Sequence, residues 1–372
     1  MKECTRCLMS NVADKNLTLN IEGICNHCQR YDRLKSSRLI SAEEREIELK
    51  RIVGKIKLAG RGKPYDCVIG VSGGVDSTYV AYLSKKLGLR PIAVHLDNGW
   101  NSELAVQNIK NTLSKLAIDL DTHVIDWDVF KEIQKSFLLA STPDGEIPSD
   151  HAIDALLWSS ALKHNVKYIL SGMNFATESI SIVDWNYGHA DFKYIRSIHK
   201  KFGDGNFKSY PRFSLIKLVY INLIRRKRII SLLNYIEYNK EQAMEVLAQE
   251  IDWRPYAGKH FESTYTRFFQ GYYLPEKFNI DKRIGHLSDL INSGQISRAE
   301  ALEIIEQPTY PEKLQKEDLV YVKKKLGLSD HDWDEILNTP PKSFRDYPNN
   351  YWLTEFLRDA VNMLRKVKLY PR

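Results

Sequence analysis

The feature that most restricts this chain is a junction at residues 66–77. An apolar run, Asp66-Cys-Val-Ile-Gly-Val71, passes directly into Ser72-Gly-Gly-Val-Asp-Ser77, and a helical pattern then continues to residue 87. A short buried strand that feeds a glycine-rich turn and then a helix is the building unit of a parallel sheet. Two adjacent glycines let the backbone approach a ligand closely, and the amides of the turn and of the helix N-terminus make an anion site. Ser72 and Ser77 add hydroxyl donors, and Asp76 is placed to hold Mg2+ against phosphates. The nucleotide-binding candidates are therefore Ser72, Gly73, Gly74, Val75, Asp76 and Ser77. The spacing matches neither G-x-G-x-x-G nor G-x-x-x-x-G-K-[ST], which disfavours a dinucleotide fold and a Walker loop.

The same alternation recurs on both sides of the junction. Ser41 and Glu44 form a capping box ahead of Ile47, Ile52, Val53 and Ile56, and residues 60–64 end that helix. Strands are predicted at 91–96, 121–126 and 167–171, with helices at 101–117, 128–139 and from an Asp150 cap to about 164. This order implies an α/β fold, a doubly wound parallel sheet whose ligand lies beyond the carboxyl ends of the strands. From about residue 205 strand-like runs give way to helical patterns rich in basic and aromatic residues. The expected organisation is a zinc knuckle over 1–40, a nucleotide-binding sheet domain over 41–205 and a helical domain over 206–372.

Cys4-x-x-Cys7 and Cys25-x-x-Cys28 stand 17 residues apart. Two such knuckles can close a tetrahedral thiolate shell around Zn2+, and four thiolates leave no open position, so the expected zinc is structural. His27, inside the second knuckle, is expected at the surface or behind the ligands. The remaining thiol, Cys67, falls within the first strand. The 372 residues carry a net charge of +7, which suits a phosphate-bearing ligand without demanding a nucleic acid. No segment reads as a signal peptide or as a membrane span; the nearest approach, 213–236, is broken by Lys217 and by Arg225, Arg226, Lys227 and Arg228. A cytoplasmic location is expected. The basic run reads either as a solvated turn or as a docking point for a membrane face or an acidic partner. Trp100, Trp127, Trp158 and Trp185 are expected as core or pocket walls.

The turn at 72–77 resembles the pyrophosphatase loop (PP-loop) of the ATP pyrophosphatase superfamily, over roughly residues 62–175. Members cleave ATP between the α and β phosphates, adenylate an oxygen, and let a nitrogen or sulfur nucleophile displace AMP. The resemblance implies adenine recognition near 91–96 and near Ser171-Gly172-Met-Asn174, with His95, Asp97, Gly172 and Asn174 as candidates; each polar one is equally placed to cap a strand end. Further blocks are 141–153 (S-T-P-D-G-E-I-P-S-D-H-A-I), 256–270 (Y-A-G-K-H-F-E-S-T-Y-T-R-F-F-Q) and 281–287 (D-K-R-I-G-H-L). With the cysteine cluster, they resemble the N-acetyl sugar amidotransferases of surface-polysaccharide biosynthesis across nearly the whole chain. That likeness implies conversion of an acetamido to an acetamidino group on a nucleotide-linked sugar or nonulosonic acid, for lipopolysaccharide, O-antigen or flagellar glycan. It also implies ATP, Mg2+ and separate glutaminase and synthase-like subunits that supply ammonia.

Asp76, Lys259, His260 and Arg283 are the catalytic candidates, the last three as contacts to pyrophosphate or an anionic sugar. Glu262, Arg267 and Lys282 read equally as site residues or as a solvated helix face. Asp144, Asp150 and His151 shape a sugar site or cap the next helix. With four cysteines committed to metal and none after Cys67, thiol-based glutamine hydrolysis is not expected of this chain. The rival reading is a PP-loop enzyme that modifies tRNA by nitrogen transfer or thiolation. A nucleotide fold acting only as a scaffold is the third, and the intact Ser72–Ser77 turn argues against it.

Overall fold

The computed structural model describes residues 2–38, 41–258 and 260–366. Two helices, α1 (Asn26–Arg38) and α2 (Ala42–Ala59), precede β1 (Cys67–Gly70) and α3 (Val75–Lys86). They are followed by β2 (Pro91–Asp97), α4 (Glu103–Leu116), β3 (Asp119–Val124), α5 (Trp127–Leu139), α6 (Ile147–Lys163), β4 (Tyr168–Ser171) and α7 (Phe192–Phe202). Helix α8 (Leu215–Val219) runs on through a π-turn, Tyr220–Ile224, to β5 (Arg228–Ser231) and α9 (Lys240–Ile251). The remainder is helical: α10 (Thr264–Phe268), α11 (Leu274–Phe278), α12 (Arg283–Ser293), α13 (Arg298–Glu306), α14 (Glu312–Leu326), α15 (Asp330–Asn338) and α16 (Tyr351–Lys366).

The five strands form one parallel sheet in the order β3-β2-β1-β4-β5. Strand order reverses between β1 and β4, so the exits of these two strands diverge and leave a crevice for a ligand at their carboxyl ends. β1 is nearly sealed, Cys67, Val68 and Ile69 being fully buried. One apolar layer beneath it joins α2, α3 and α9, and another joins α6 and α8. A third, larger core holds α5, α7, α10–α12, α14 and α15 against the cysteine knuckle.

Three expectations need correction. The sheet does not end before residue 205: Arg228–Ser231 lies parallel to β4, with Tyr168 paired to Arg228. Helix α6 starts at Ile147 with Pro148 in its first turn, so Asp150 sits one turn inside rather than at the cap. The third strand spans 119–124 rather than 121–126, because Asp126 is taken as the N-cap of α5. The capping box at Ser41 and Glu44 is present. Trp100, Trp158 and Trp185 are buried, and Trp127 is partly so. The basic run divides: Arg225 and Arg226 are exposed, whereas Lys227 is buried and donates to Val166 O.

Candidate active site

Residues 72–77 leave β1 and enter α3 with Gly74 as a cap that offers no side chain. The free amides of the first helical turn therefore face outward from the sheet's carboxyl edge. Gly73 adopts φ +81°, and a Cβ there would stand 2.8 Å from Ala105 O. Only glycine fits this bend without strain. Ser72 Oγ and Ser77 Oγ lie 3.0 Å apart, and Ser77 Oγ donates to Gly74 O. Two distant rings hold the turn from outside: Trp253 Nε1 donates to Gly73 O at 2.9 Å and Tyr256 OH to the same oxygen at 3.0 Å. Half-buried Asp76 accepts from Tyr238 OH. Burial and the neighbouring Asp76 push the Tyr238 hydroxyl far above its ordinary pKa, so it stays a donor. Asp76 thus fits Mg2+: a carboxylate fixed at the phosphate turn by a neutral hydroxyl, with no cation paired to it among the described residues.

The exit of β4 meets this turn. A Cβ on Gly172 would lie 3.0 Å from the Asp76 carbonyl carbon, so Gly172 is where β4 and the phosphate turn close up. Asn174 is buried, and its Oδ1 accepts from Thr177 N and Thr177 Oγ1. His95 Nδ1 donates to Val71 O at 2.8 Å, and its Nε2 accepts from Asn101 Nδ2. Asp97 accepts from Gly99 N. His95 and Asp97 use these atoms to organise strand exits, whereas the buried Nδ2 of Asn174 has no hydrogen-bond partner among the described residues.

The second half of the chain completes the crevice. Ser102 N donates to Glu262 O, Thr264 N donates to Trp100 O, and Asn101 bridges Ser263, so 262–264 runs along the exit of β2. Glu262 Oε1 would stand 3.7 Å from a Cβ on Gly74. Burial raises the Glu262 pKa, but the hydrogen bond and charge of His260 outweigh it and hold the carboxyl below the usual range. His260 itself takes φ +64°. Lys259 lies outside the described residues.

Arg283 is spent on structure: it pairs with Asp281 and donates to the carbonyls of Ile305, Gln307 and Pro308. Arg267 makes a two-pronged pair with Asp318 at 2.8 and 2.7 Å and lies over Phe261. Lys282 Nζ and Gln270 Nε2 both reach Glu146. His260, Arg267, Lys282 and Arg283 nevertheless line one cleft of about 110 Å³, with Tyr310 and His286. A wider hollow of about 550 Å³ beside Lys57, Arg61 and Arg90 lies at the opposite, amino end of the strands.

The first turn of α6 also reaches the carboxyl edge, where Asn98 Nδ2 donates to Ser149 Oγ. Asp150 is recessed there beside Glu146, Lys282 and His189, and burial pushes it up to about 6. Asp154 pairs with His189 at 2.9 Å. Asp144 and His151 fall to structural duty. Asp144 is buried, accepting from Tyr187 N and Tyr194 OH. His151 is stacked on Phe213, accepts at Nε2 from Phe213 N, and is pulled down to about 4 by burial.

Cys4, Cys7, Cys25 and Cys28 place all four sulfurs within 4.8 Å of one another, with Cys4–Cys28 at 3.9 Å and Cys7–Cys25 at 3.7 Å. A tetrahedron of Zn–S bonds of about 2.3 Å requires S···S of about 3.8 Å, so the residues fit zinc and are too far apart for disulfides. Backbone amides of Arg6, Met9, Cys25 and Cys28 point at the sulfurs. His27 sits behind the shell, bonded to Asp14. Sequence reasoning missed Tyr238, Trp253 and Tyr256 as holders of the phosphate turn; only Tyr256, at the head of the 256–270 block, carried a signal.

Comparison with known proteins divides along the same line. Residues 66–163 match the model of the queuosine biosynthesis protein QueC, and residues 262–360 match "LPS biosynthesis protein WbpG-like, C-terminal domain". A curated relative, tRNA-specific 2-thiouridylase MnmA 2 of Fusobacterium nucleatum, is 29% identical over 193 residues, which is 50% of this chain and 50% of that protein. The chain thus spans about half the length of this relative. Among solved structures, NMN synthetase from Francisella tularensis aligns with TM-score 0.36 and 15% identity, over 79% of this chain and 96% of that one. A predicted subunit of tRNA methyltransferase from Methanocaldococcus jannaschii gives 0.29 and 14%, over 49% and 74%. Neither score bears on function. The sheet region is thus similar to a PP-loop family over residues 66–163 and the C-terminal region to a WbpG-like domain over 262–360, in keeping with the N-acetyl sugar amidotransferase resemblance of the motifs.

Proposed function

We propose that this protein is an ATP-dependent amidotransferase that turns the acetamido group of an N-acetyl sugar into an acetamidino group for surface-polysaccharide synthesis. One observation carries the reading: the WbpG-like segment lays Glu262 against the phosphate turn and ties 262–264 to the exit of β2. The sugar-specific part of the chain and the ATP site then share one crevice.

An amide carbon is too weak an electrophile for ammonia to expel its oxygen. The amide oxygen attacks the α-phosphorus of ATP and pyrophosphate leaves. Ammonia adds to the resulting imidate carbon, loses a proton, and AMP departs with the former amide oxygen. The turn amides and Ser72 and Ser77 grip the phosphates, where fixed donors stabilise developing charge without reorganisation. When bound, Mg2+ neutralises charge on the phosphates, and Asp76 is the side chain that holds it. The cleft of His260, Arg267 and Lys282 is the place for the anionic sugar. Zinc in the knuckle is structural.

Burial pushes the Cys67 thiol far above its ordinary pKa, and the other four thiols face one another. A thiolate for glutamine hydrolysis is therefore lacking among the cysteines, and ammonia comes from separate glutaminase and synthase-like subunits. The match to a tRNA thiouridylase favours a second reading, tRNA modification. Thiolation needs an accessible thiol, and the sole one outside the knuckle is sealed in β1.

The test is incubation of the full chain with ATP, Mg2+, ammonium and acetamido sugars, followed by mass spectrometry. A product lighter by the difference between O and NH, with AMP released only when sugar is present, is expected. Ammonium should support turnover and glutamine alone should not. AMP release that depends on tRNA instead, with steep loss at high salt, would overturn the reading.

A further inference from the structure

Residues 205–236 hold seven basic side chains, Lys208, Arg212, Lys217 and Arg225–Arg228, and no acidic one. Within this tract α8 and its π-turn extension are apolar on two sides. The inner side is conventional: Ile221 is fully buried, and with Leu218 it joins Trp158 and Ala161 of α6 in the layer under the sheet. The outer side carries Ile216, Val219, Tyr220, Leu223 and Ile224. Ile216 is 83% exposed and Ile224 68% exposed. Val219, Tyr220 and Leu223 are exposed too, so all five side chains face solvent. Ile229 of the edge strand β5 is exposed as well. Lys217, Arg225 and Arg226 stand in solvent around this face and make no ion pair among the described residues.

An outward helix face normally carries the polar residues, and an apolar one of this extent marks an interaction site. We propose that this face docks on an anionic phospholipid surface, with the helix lying in the headgroup layer. Charge selects the occupant. A protein interface depletes charged residues at its core, whereas this tract carries seven cations and no acidic residue. An RNA surface is met by cations and stacking rings, whereas here four of the five outward side chains are aliphatic. An aliphatic face rimmed by Lys and Arg is the composition that partitions into an anionic interface. No helix among the described residues is long and apolar enough to cross a membrane, so the contact is peripheral. Trp352, Phe356 and Met363 are exposed on α16 as well. Asn350 bonds Asp191 at the head of α7, and Arg212 lies over Phe192 of the same turn.

The experiment is co-sedimentation of the full chain with phosphatidylcholine vesicles, with and without phosphatidylglycerol. Binding is expected only to the anionic vesicles and should fall with salt. A basic side chain near such a surface is worth about fivefold in partition, so Arg225→Gln with Arg226→Gln should weaken binding about 25-fold. Leu223→Ser with Ile224→Ser should weaken it too, while far-UV circular dichroism and the melting curve of both variants match the parent. The proposal is overturned if anionic vesicles are not bound, or if both variants bind them like the parent. It is equally overturned if the serine variant disperses a dimer seen by size exclusion without changing vesicle binding. Loss of tRNA binding in the Arg variant, with vesicles ignored throughout, would assign the tract to RNA instead.

Discussion

Gly73 has no room for one more carbon. Its φ of +81° and the Ala105 carbonyl 2.8 Å from a would-be Cβ leave no cheap relaxation, because that carbonyl belongs to α4. Gly73→Ala should cost about 2 kcal/mol of stability and reduce AMP release about a hundredfold by displacing the turn, read by thermal melting and by turnover. Asp150 should behave in the opposite sense. Its pKa is raised to about 6 by burial, so the folded state holds the proton more tightly than the unfolded chain does. Ionisation therefore removes stability as pH rises from about 4 through 6. Asp150→Asn should melt above the parent at pH 8 and lose that advantage as pH falls toward 4; an advantage constant across pH would contradict the assignment. At this scale the turn was legible in the sequence because its signal is local: two glycines, two hydroxyls and an acid between a strand and a helix. Its supports were not, since Tyr238, Trp253 and Tyr256 reach it across 162 to 183 positions of sequence.

Among elements, those with strong periodicity and caps were readable and the edge strand was not. β5 is four residues long and only half-buried, and its Ile229-Ile230 follows four basic residues, so neither alternation nor a turn announces it. Pairing with β4 decides its form. Arg283 is hard to read for a related reason: a basic residue in a motif block looks like a ligand contact until its partners are known, and this one lines the cleft while binding its own fold. It joins the start of α12 to the carbonyls beyond α13, through Asp281. Arg283→Ala should cost about 2 kcal/mol, and Arg283→Lys should recover little of it, because one ammonium cannot reproduce the fork. Thermal unfolding of the three proteins measures this; a loss of activity with unchanged melting would return Arg283 to the substrate.

Across the whole molecule, the cysteine knuckle acts as a rivet. Leu8 N donates to Ser288 Oγ, Arg298 Nε to Cys7 O and Trp185 Nε1 to Ala13 O, and Tyr31 stacks on Phe175 at 4.5 Å. It therefore fastens the connection after β4 to α12 and α13, two regions that border the crevice. Stripping zinc with a chelator should lower the melting temperature and open residues 172–190 to protease before the sheet yields, with hydrogen exchange reporting the order. An unchanged exchange pattern after complete metal loss would leave the rivet without a purpose. The late arrival of β5 has a practical corollary for anyone dissecting the protein. A fragment stopped near residue 205, meant to isolate the ATP-handling half, would bare the flank of β4 and discard the rings that steady the phosphate turn. Such a half should clump in solution and ignore nucleotide, a failure of surgery rather than of chemistry.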